Sequence, residues 1–280
     1  MRELHKYDYE ILNEDVKKRQ RTVTSILSPG DLKQFAETGY LLLEGLLNKQ
    51  MVSELQTAVD DLRRARFGDS KLSTYRSASF AGQYLREPHA YDERFWILLE
   101  RQPIIEAVRS LIGPRIVMRS YSVRITFPQS NAGTRWHRDQ RSLVTPDPPL
   151  FTEPHVITAL SYLDDIDEAC GPTFILPSSY RLRNILPPEQ AFASLPGEVA
   201  LNPTAGSIVL LHSALWHRGG ANGAGGKHRR LIIQQFAPSW AVRSSFEEIP
   251  NPPRYASLIE RARTEGDEEM LELLGLGGYM

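Results

Sequence analysis

Residues 115–128 read RIVMRSYSVRITFP, and this stretch decides the fold. From Tyr121 to Phe127 apolar and polar residues alternate one by one, with β-branched and aromatic side chains on the apolar positions. That period of two predicts a strand with one face turned to a core. Four later stretches share the texture: HVITALSYLDDID (155–167), GPTFILPSSYR (171–181), GSIVLLHSALWH (206–217) and HRRLIIQQFAP (228–238). Clusters of Gly, Pro, Asn and Asp separate them, as turns require.

Upstream the period changes to that of helices. In SPGDLKQFAETGY (28–40) Ser28 is a cap, Pro29 suits a first helical position, Asp31 favours the positive helix end and Gly39 ends the run. YLLLEGLL (40–47) reads as a short strand. NKQMVSELQTAVDDLRRARF (48–67) then places Val52, Leu55, Val59 and Leu62 on one helical face. QPIIEAVRSLIGP (102–114) predicts a third helix, with Pro103 near its start and Gly113-Pro114 as its stop. The end of the chain, from PPRYASLIERAR (252–263) onward, returns to helix, with Leu258, Ile259 and Ala262 as packing positions. Its acidic EGDEEM (265–270) reads as a helix start or solvated face rather than a metal cluster. Helices first and then many short strands predict a mainly β protein, a sandwich or jelly roll on a helical buttress. We read one domain over 1–280, divided into an N-terminal arm or short exposed helix (1–25), a buttress with the first strand (28–113), a jelly-roll core (114–240) and a C-terminal helical tail (241–280).

Composition narrows the function classes. The chain has 280 residues, 41% hydrophobic and 24% charged, enough for a substantial core. A formal net charge of -1 argues against general binding to nucleic acid or to a membrane surface. No apolar run approaches the ~18 residues of a membrane helix. The charged N-terminus lacks the apolar stretch of a signal peptide, so a cytoplasmic protein is expected. The single cysteine, Cys170, excludes an internal disulfide and a zinc site built on several thiolates.

The chemistry starts at TRWHRDQ (134–140). Residues i and i+2 of a strand share a face, so His137 and Asp139 can aim an imidazole and a carboxylate at one ion. Two ligands hold a transition metal weakly, and a third donor is needed. Two imidazoles and one carboxylate on one face of an octahedron suit Fe(II) and leave positions open. Of the seven histidines, His5 and His89 lie in segments read as a charged arm and a surface loop. His217, where a strand meets the glycine-rich turn RGGANGAGG (218–226), is the preferred third ligand, with His212 as its rival. Asn222 in that turn can bond its backbone. Behind it come Arg229 and Arg230, adjacent residues of a buried-looking strand. One of them must face inward, where its guanidinium would bind a carboxylate bidentately.

Together these segments resemble the phytanoyl-CoA dioxygenase family of Fe(II)- and 2-oxoglutarate-dependent oxygenases. The resemblance runs from LKQFAETGYLLLEGLLNKQMVSELQ (32–56) through WHRD (136–139) and ALSYLDDIDEACGPTFILPSSYR (159–181) to GSIVLLHSALWHRGGAN (206–222) and the arginine beyond. It implies a double-stranded β-helix, a cupin-like jelly roll with N-terminal and C-terminal helices, whose mouth holds iron. Carried over, His137, Asp139 and His217 match the iron triad. Arg229, with Arg230 as the alternative, matches the anchor of the distal carboxylate of 2-oxoglutarate. Thr158, on one face with Leu160 and Tyr162, and Ser122 match co-substrate positions. The family's turn Pro-Gly-Ser is Pro177-Ser178-Ser179 here. The resemblance also implies O2 as oxidant, ascorbate as an accessory reductant, a small-molecule substrate and a monomer or homodimer. Related halogenases carry a small residue where Asp139 stands, so an aspartate there favours hydroxylation, with desaturation, cyclisation and epimerisation left open. Substrate contacts are expected from Arg119, Tyr121, Arg124, His155 and Trp240, and a lid from SLVTPDPPLFTEPH (142–155). Two other readings stand beside this one: a non-catalytic jelly-roll carboxylate-binding protein, and a metal-assisted hydrolase or isomerase using the same triad.

Overall fold

The computed structural model describes residues 2–10, 20–69, 82–100, 103–130, 133–139, 156–182, 186–240 and 253–276. The chain starts with an antiparallel hairpin, β1 (His5–Glu10) and β2 (Gln20–Ser25). This corrects the arm or short helix expected over 1–25. The alternation in HKYDYE and QRTVTS is masked in the sequence by its charges. It acts through a few inward groups: Val23 is buried, and the Tyr7 hydroxyl donates to the Leu27 carbonyl at 2.6 Å.

Ser28 caps α1 (Pro29–Thr38) reciprocally with Asp31, and Gly39 closes it in the left-handed region at φ 82°. Such a capping residue contributes about 1 kcal/mol. After β3 (Tyr40–Leu43), Asn48 caps α2 (Lys49–Phe67), whose Val52, Leu55, Ala58 and Val59 are buried. A strand not expected from the sequence follows, β4 (Gln83–Arg86). Beyond it the REPHAYDERF segment forms two 3-10 turns, Pro88–Ala90 and Glu93–Leu98. His89, expected on a surface loop, is fully buried there. Its ring stacks on Tyr121 with centroids 5.2 Å apart and meets the edge of Tyr255. Helix α3 (Pro103–Ile112) ends at Gly113 as predicted.

The remaining strands are β5 (Ile116–Thr126), β6 (Ile157–Tyr162), β7 (Thr173–Ile175), β8 (Val199–Leu201), β9 (Ile208–His212), β10 (His217–Gly219) and β11 (Arg229–Pro238). A large antiparallel sheet has the order β3-β9-β6-β11-β5-β4, and a small one the order β10-β7-β8. One face of the large sheet carries Tyr121, Val123, Ile125, Ile157, Ala159, Ile208, Leu210, Ile232 and Phe236, which form the main core with the helices. Helices α4 (Pro253–Glu265) and α5 (Glu268–Leu273) join that core through Leu258, Ala262, Met270 and Leu273, with Ile259 partly buried beside them. Asp267 caps α5, so the acidic run is a helix start. The opposite face carries Leu160, Tyr162, Val209, Leu211 and Leu231, which meet Ile175 and Leu201 of the small sheet in a second core. Two open sheets around this second core make a jelly roll, and the functional groups lie on its inner face. No helix among the described residues is long and apolar enough to cross a membrane.

Candidate metal centre

His137 and His217 face each other across an isolated antiparallel bridge. Each backbone N–H donates to the other residue's carbonyl, at 2.9 and 3.0 Å. Alternation sends both imidazoles and Asp139, two residues on, to one side. One ligand atom from each of the three residues lies within 4.8 Å of the other two. Nδ1 of His137 is 2.9 Å from the Arg135 carbonyl, and Nδ1 of His217 is 3.0 Å from the Leu215 carbonyl. A carbonyl only accepts, so both Nδ1 atoms carry a proton, which leaves Nε2 as the atom of each ring that can offer a lone pair to a metal. Nε2 of His217 lies 3.9 Å from the Asp139 carboxylate.

The electrostatics match that tautomer. Burial, and then the neighbouring His217, hold the His137 imidazole well below its ordinary value, so it stays neutral at pH 7. Burial alone would push the Asp139 carboxyl up. His217, His137 and hydrogen bonds from Thr158 and Gln235 outweigh it and hold the carboxyl below its ordinary value. Two imidazoles and one carboxylate on one face are the donor set of an open divalent site, and the residues present fit Fe(II). His212 is not part of the cluster. It lies buried in the large sheet, its Nδ1 accepts the Ala214 N–H at 3.0 Å, and its ring stacks on Tyr180.

The cross-strand register places the other groups. On β5 and β11 the partners Thr126↔Arg229, Arg124↔Leu231, Ser122↔Ile233 and Ser120↔Gln235 share the inner face. On β6 that face carries Tyr162, Leu160 and Thr158, opposite Leu231, Ile233 and Gln235. The Thr158 hydroxyl donates to the Asp139 carboxylate. Ser122 accepts the Tyr84 hydroxyl at 2.7 Å on the same face. Arg229 is buried, and its Nη1 donates to the Cys170 and Gly171 carbonyls. Gly171 lies at φ 78°, and a Cβ there would stand 2.5 Å from the Ala221 and Gly220 carbonyls, so only glycine lets these turns meet. Arg230 faces the opposite, helix-covered side of the sheet instead, held by Asp164 at 2.5 Å and by Asp60 of α2 at 2.9 Å.

Arg124 is buried beside Arg229. Burial, and then Arg229, lower its pKa to about 9, while Tyr84 and Tyr162 raise it. Tyr121 sits on the opposite face of β5, buried in the helical core with its hydroxyl on the Phe95 carbonyl, away from the triad. Arg119 has no register partner in β11, falling at the irregularity near Phe236. Trp240 is 66% exposed, just beyond the end of β11. His155 and the expected lid lie outside the described residues. Sequence reasoning missed Gln235, although it shares the alternation of Arg229, Leu231 and Ile233.

The family model described as phytanoyl-CoA dioxygenase (PhyH) matches residues 35–231. No curated protein matches the sequence. Among solved structures, HygX from Streptomyces hygroscopicus, with nickel and 2-oxoglutarate bound, superposes with a TM-score of 0.64 at 16% identity, covering 78% of this chain and 89% of that one. SnoK, a non-haem α-ketoglutarate-dependent carbocyclase from nogalamycin biosynthesis, gives 0.63 at 18% identity over 76% and 85%. SnoN, an epimerase from the same biosynthesis, gives 0.59 at 18% identity over 80% and 89%. At these identities the likeness carries the fold. With the family model covering most of the jelly roll and the His-Asp-His cluster at its mouth, the chain belongs to the phytanoyl-CoA dioxygenase family.

Proposed function

We propose that the protein is a non-haem Fe(II)- and 2-oxoglutarate-dependent oxygenase. It oxidises an unactivated C–H bond of a small molecule, by hydroxylation, with release of succinate and CO2. One observation carries the reading: the triad and a buried arginine face one interior. Arg229 is buried, and among the described residues no carboxylate pairs with it. Arg124, buried next to it, adds a second positive charge on the same face. Buried charges are stable when neutralised, and a dicarboxylate lying between the triad and Arg229 supplies the missing charge.

Bound Fe(II) would supply activation of dioxygen, coupled to oxidative decarboxylation of 2-oxoglutarate. The chain's own residues prepare the site for it. His137, Asp139 and His217 hold the ion on one face. Thr158 and Gln235 keep the Asp139 carboxylate ionised and oriented. Arg229 pairs with the distal carboxylate of 2-oxoglutarate, and Ser122 and Thr158 line the path between. The apolar Leu160, Leu231 and Ile233 exclude water around it. HygX, solved with nickel and 2-oxoglutarate, supports this placement for a protein of the same fold.

Anaerobic addition of Fe(II) and 2-oxoglutarate should produce the weak visible charge-transfer absorption of their chelate. Addition of O2 should release succinate. Absence of both sinks the proposal, and His137→Ala should abolish both. A metabolite-pool screen identifies the substrate. Because SnoK and SnoN are a carbocyclase and an epimerase, product mass is the decisive readout of outcome. Hydroxylation adds one oxygen, ring closure removes two hydrogens and epimerisation leaves the mass unchanged.

A further inference from the structure

The tripeptide Trp-His-Arg occurs at 136–138 and again at 216–218. The bridge pairs His137 with His217 in antiparallel register, so each tripeptide lies against the other reversed. The imidazoles point inward, and the flanking positions point to the outer face. Arg138 stacks over Trp216 with its guanidinium carbon 4.5 Å from the ring centroid. Arg218 lies 5.2 Å from the Trp136 ring and 3.8 Å from that of Phe174, its register partner on β7.

Three of the four side chains are tied down in turn, and the fourth residue, Trp216, is held through its backbone. Trp136 Nε1 donates to the Ala193 carbonyl at 2.8 Å. Arg218 pairs with Glu198 at 3.2 Å. Arg138 donates to the Ser179 and Leu182 carbonyls. Ser179 Oγ in turn accepts the Trp216 backbone N–H at 2.9 Å.

The bridge itself is short. Among the described residues, its two mutual backbone hydrogen bonds are joined only by the contact of Thr134 with Gly219. A slip of one residue would turn an imidazole to the outer face. In an antiparallel pair, the rows beside a hydrogen-bonded pair bring their side chains closer together. Those rows are the ones filled here by Trp136–Arg218 and Arg138–Trp216.

We infer that the two crossed Arg–Trp stacks form a clamp on the outer face that holds His137 and His217 in the register a metal ion needs. These four are positioning residues, and the inference rests on the metal reading of the triad.

The test is anaerobic titration of the full-length apo-protein with Co(II), read as dissociation constant and as the cobalt d–d absorption, with circular dichroism as the check of folding. Arg138→Met and Arg218→Met keep the apolar stem and remove the stacked cation. Each should raise the Co(II) dissociation constant about 10-fold or more and change the d–d band, the range typical of residues that orient metal ligands. Arg261→Met removes a like stack, on Trp96 at 4.9 Å beside Glu100, far from the triad in the fold. It should leave both readouts as in the wild type.

Wild-type affinity and spectrum in the Arg138→Met/Arg218→Met double variant overturn the clamp. An equal loss in Arg261→Met overturns it as well. Should a methionine variant fail to fold, Arg138→Lys and Arg218→Lys take its place. They keep the charge but lose the planar stack, and unchanged cobalt binding in them also overturns the clamp. A wild-type protein that takes up no Co(II) overturns the metal reading instead, a result distinct from intact binding in the variants.

Discussion

Thr158 on β6 donates its hydroxyl proton to the Asp139 carboxylate, joining the large sheet to the one anionic member of the triad. The contact fixes which way the carboxylate turns, and it favours the ionised form that a cation requires. Thr158→Val keeps the branched shape and removes the donor. We expect a fall of about 10- to 100-fold in affinity for Fe(II) or Co(II), with the urea midpoint of the apo-protein little changed. Unaltered metal affinity would reduce Thr158 to a packing residue.

Arg229 and Arg230 separate two effects that adjacent residues seldom separate so cleanly. Arg229 faces the triad side of the sheet, and Arg230 binds Asp164 and Asp60 on the other side. Arg229→Gln should raise the KM for 2-oxoglutarate about 10- to 100-fold, the loss of charge-assisted hydrogen bonds to one carboxylate. Its Co(II) affinity should stay at the wild-type level. Arg230→Gln should leave the co-substrate KM unchanged and cost about 1–3 kcal/mol of stability, read by urea unfolding. The reverse pattern would assign the anchor to Arg230.

His212 and His217 pose the same kind of choice for the third ligand. Only His217 clusters with His137 and Asp139, while His212 bonds the Ala214 amide within the sheet. A metal that binds only the folded state at a concentration a hundredfold above its dissociation constant stabilises it by about 2.7 kcal/mol. The wild type should show that rise in melting temperature with Co(II), reversed by a chelator. His212→Ala should start from a lower melting temperature and still rise with metal. His217→Ala should show no rise. A metal-induced shift surviving in His217→Ala contradicts the assignment.

The triad was legible because its signals are local: an i,i+2 pair, and a histidine where an apolar run meets glycines. Helix caps at Ser28 and the stop at Gly113 were legible for the same reason. The choice between the two arginines was not, because adjacent strand residues always face opposite ways, and the acidic partners that claim Arg230 are 66 and 170 residues away. Tyr121 and Arg124 were both expected at the substrate. Their spacing of three puts them on opposite faces, so alternation alone could have separated them. His89 was lost for another reason. Its burial comes from Tyr121 and Tyr255, and no local pattern announces such a distant pair.

Gly219 tests whether Arg124 belongs to the co-substrate pocket. It lies two residues beyond His217, and a Cβ added there would stand 2.9 Å from Arg124 Nη1 and 3.2 Å from Thr134 Oγ1. Its φ is not in the left-handed region, so alanine brings no backbone penalty and acts through those contacts. The end of the arginine must move by several tenths of an ångström, inside a packed interior where such shifts are felt. Gly219→Ala should therefore weaken 2-oxoglutarate binding more than it weakens Co(II) binding. The decisive comparison is the cycle with Arg124→Gln, whose shorter side chain leaves room for the methyl group. In that background Gly219→Ala should add nothing to the dissociation constant for 2-oxoglutarate, a clear departure from additivity. Full additivity of the two substitutions would place the effect of Gly219 in the Thr134 contact and remove Arg124 from the pocket.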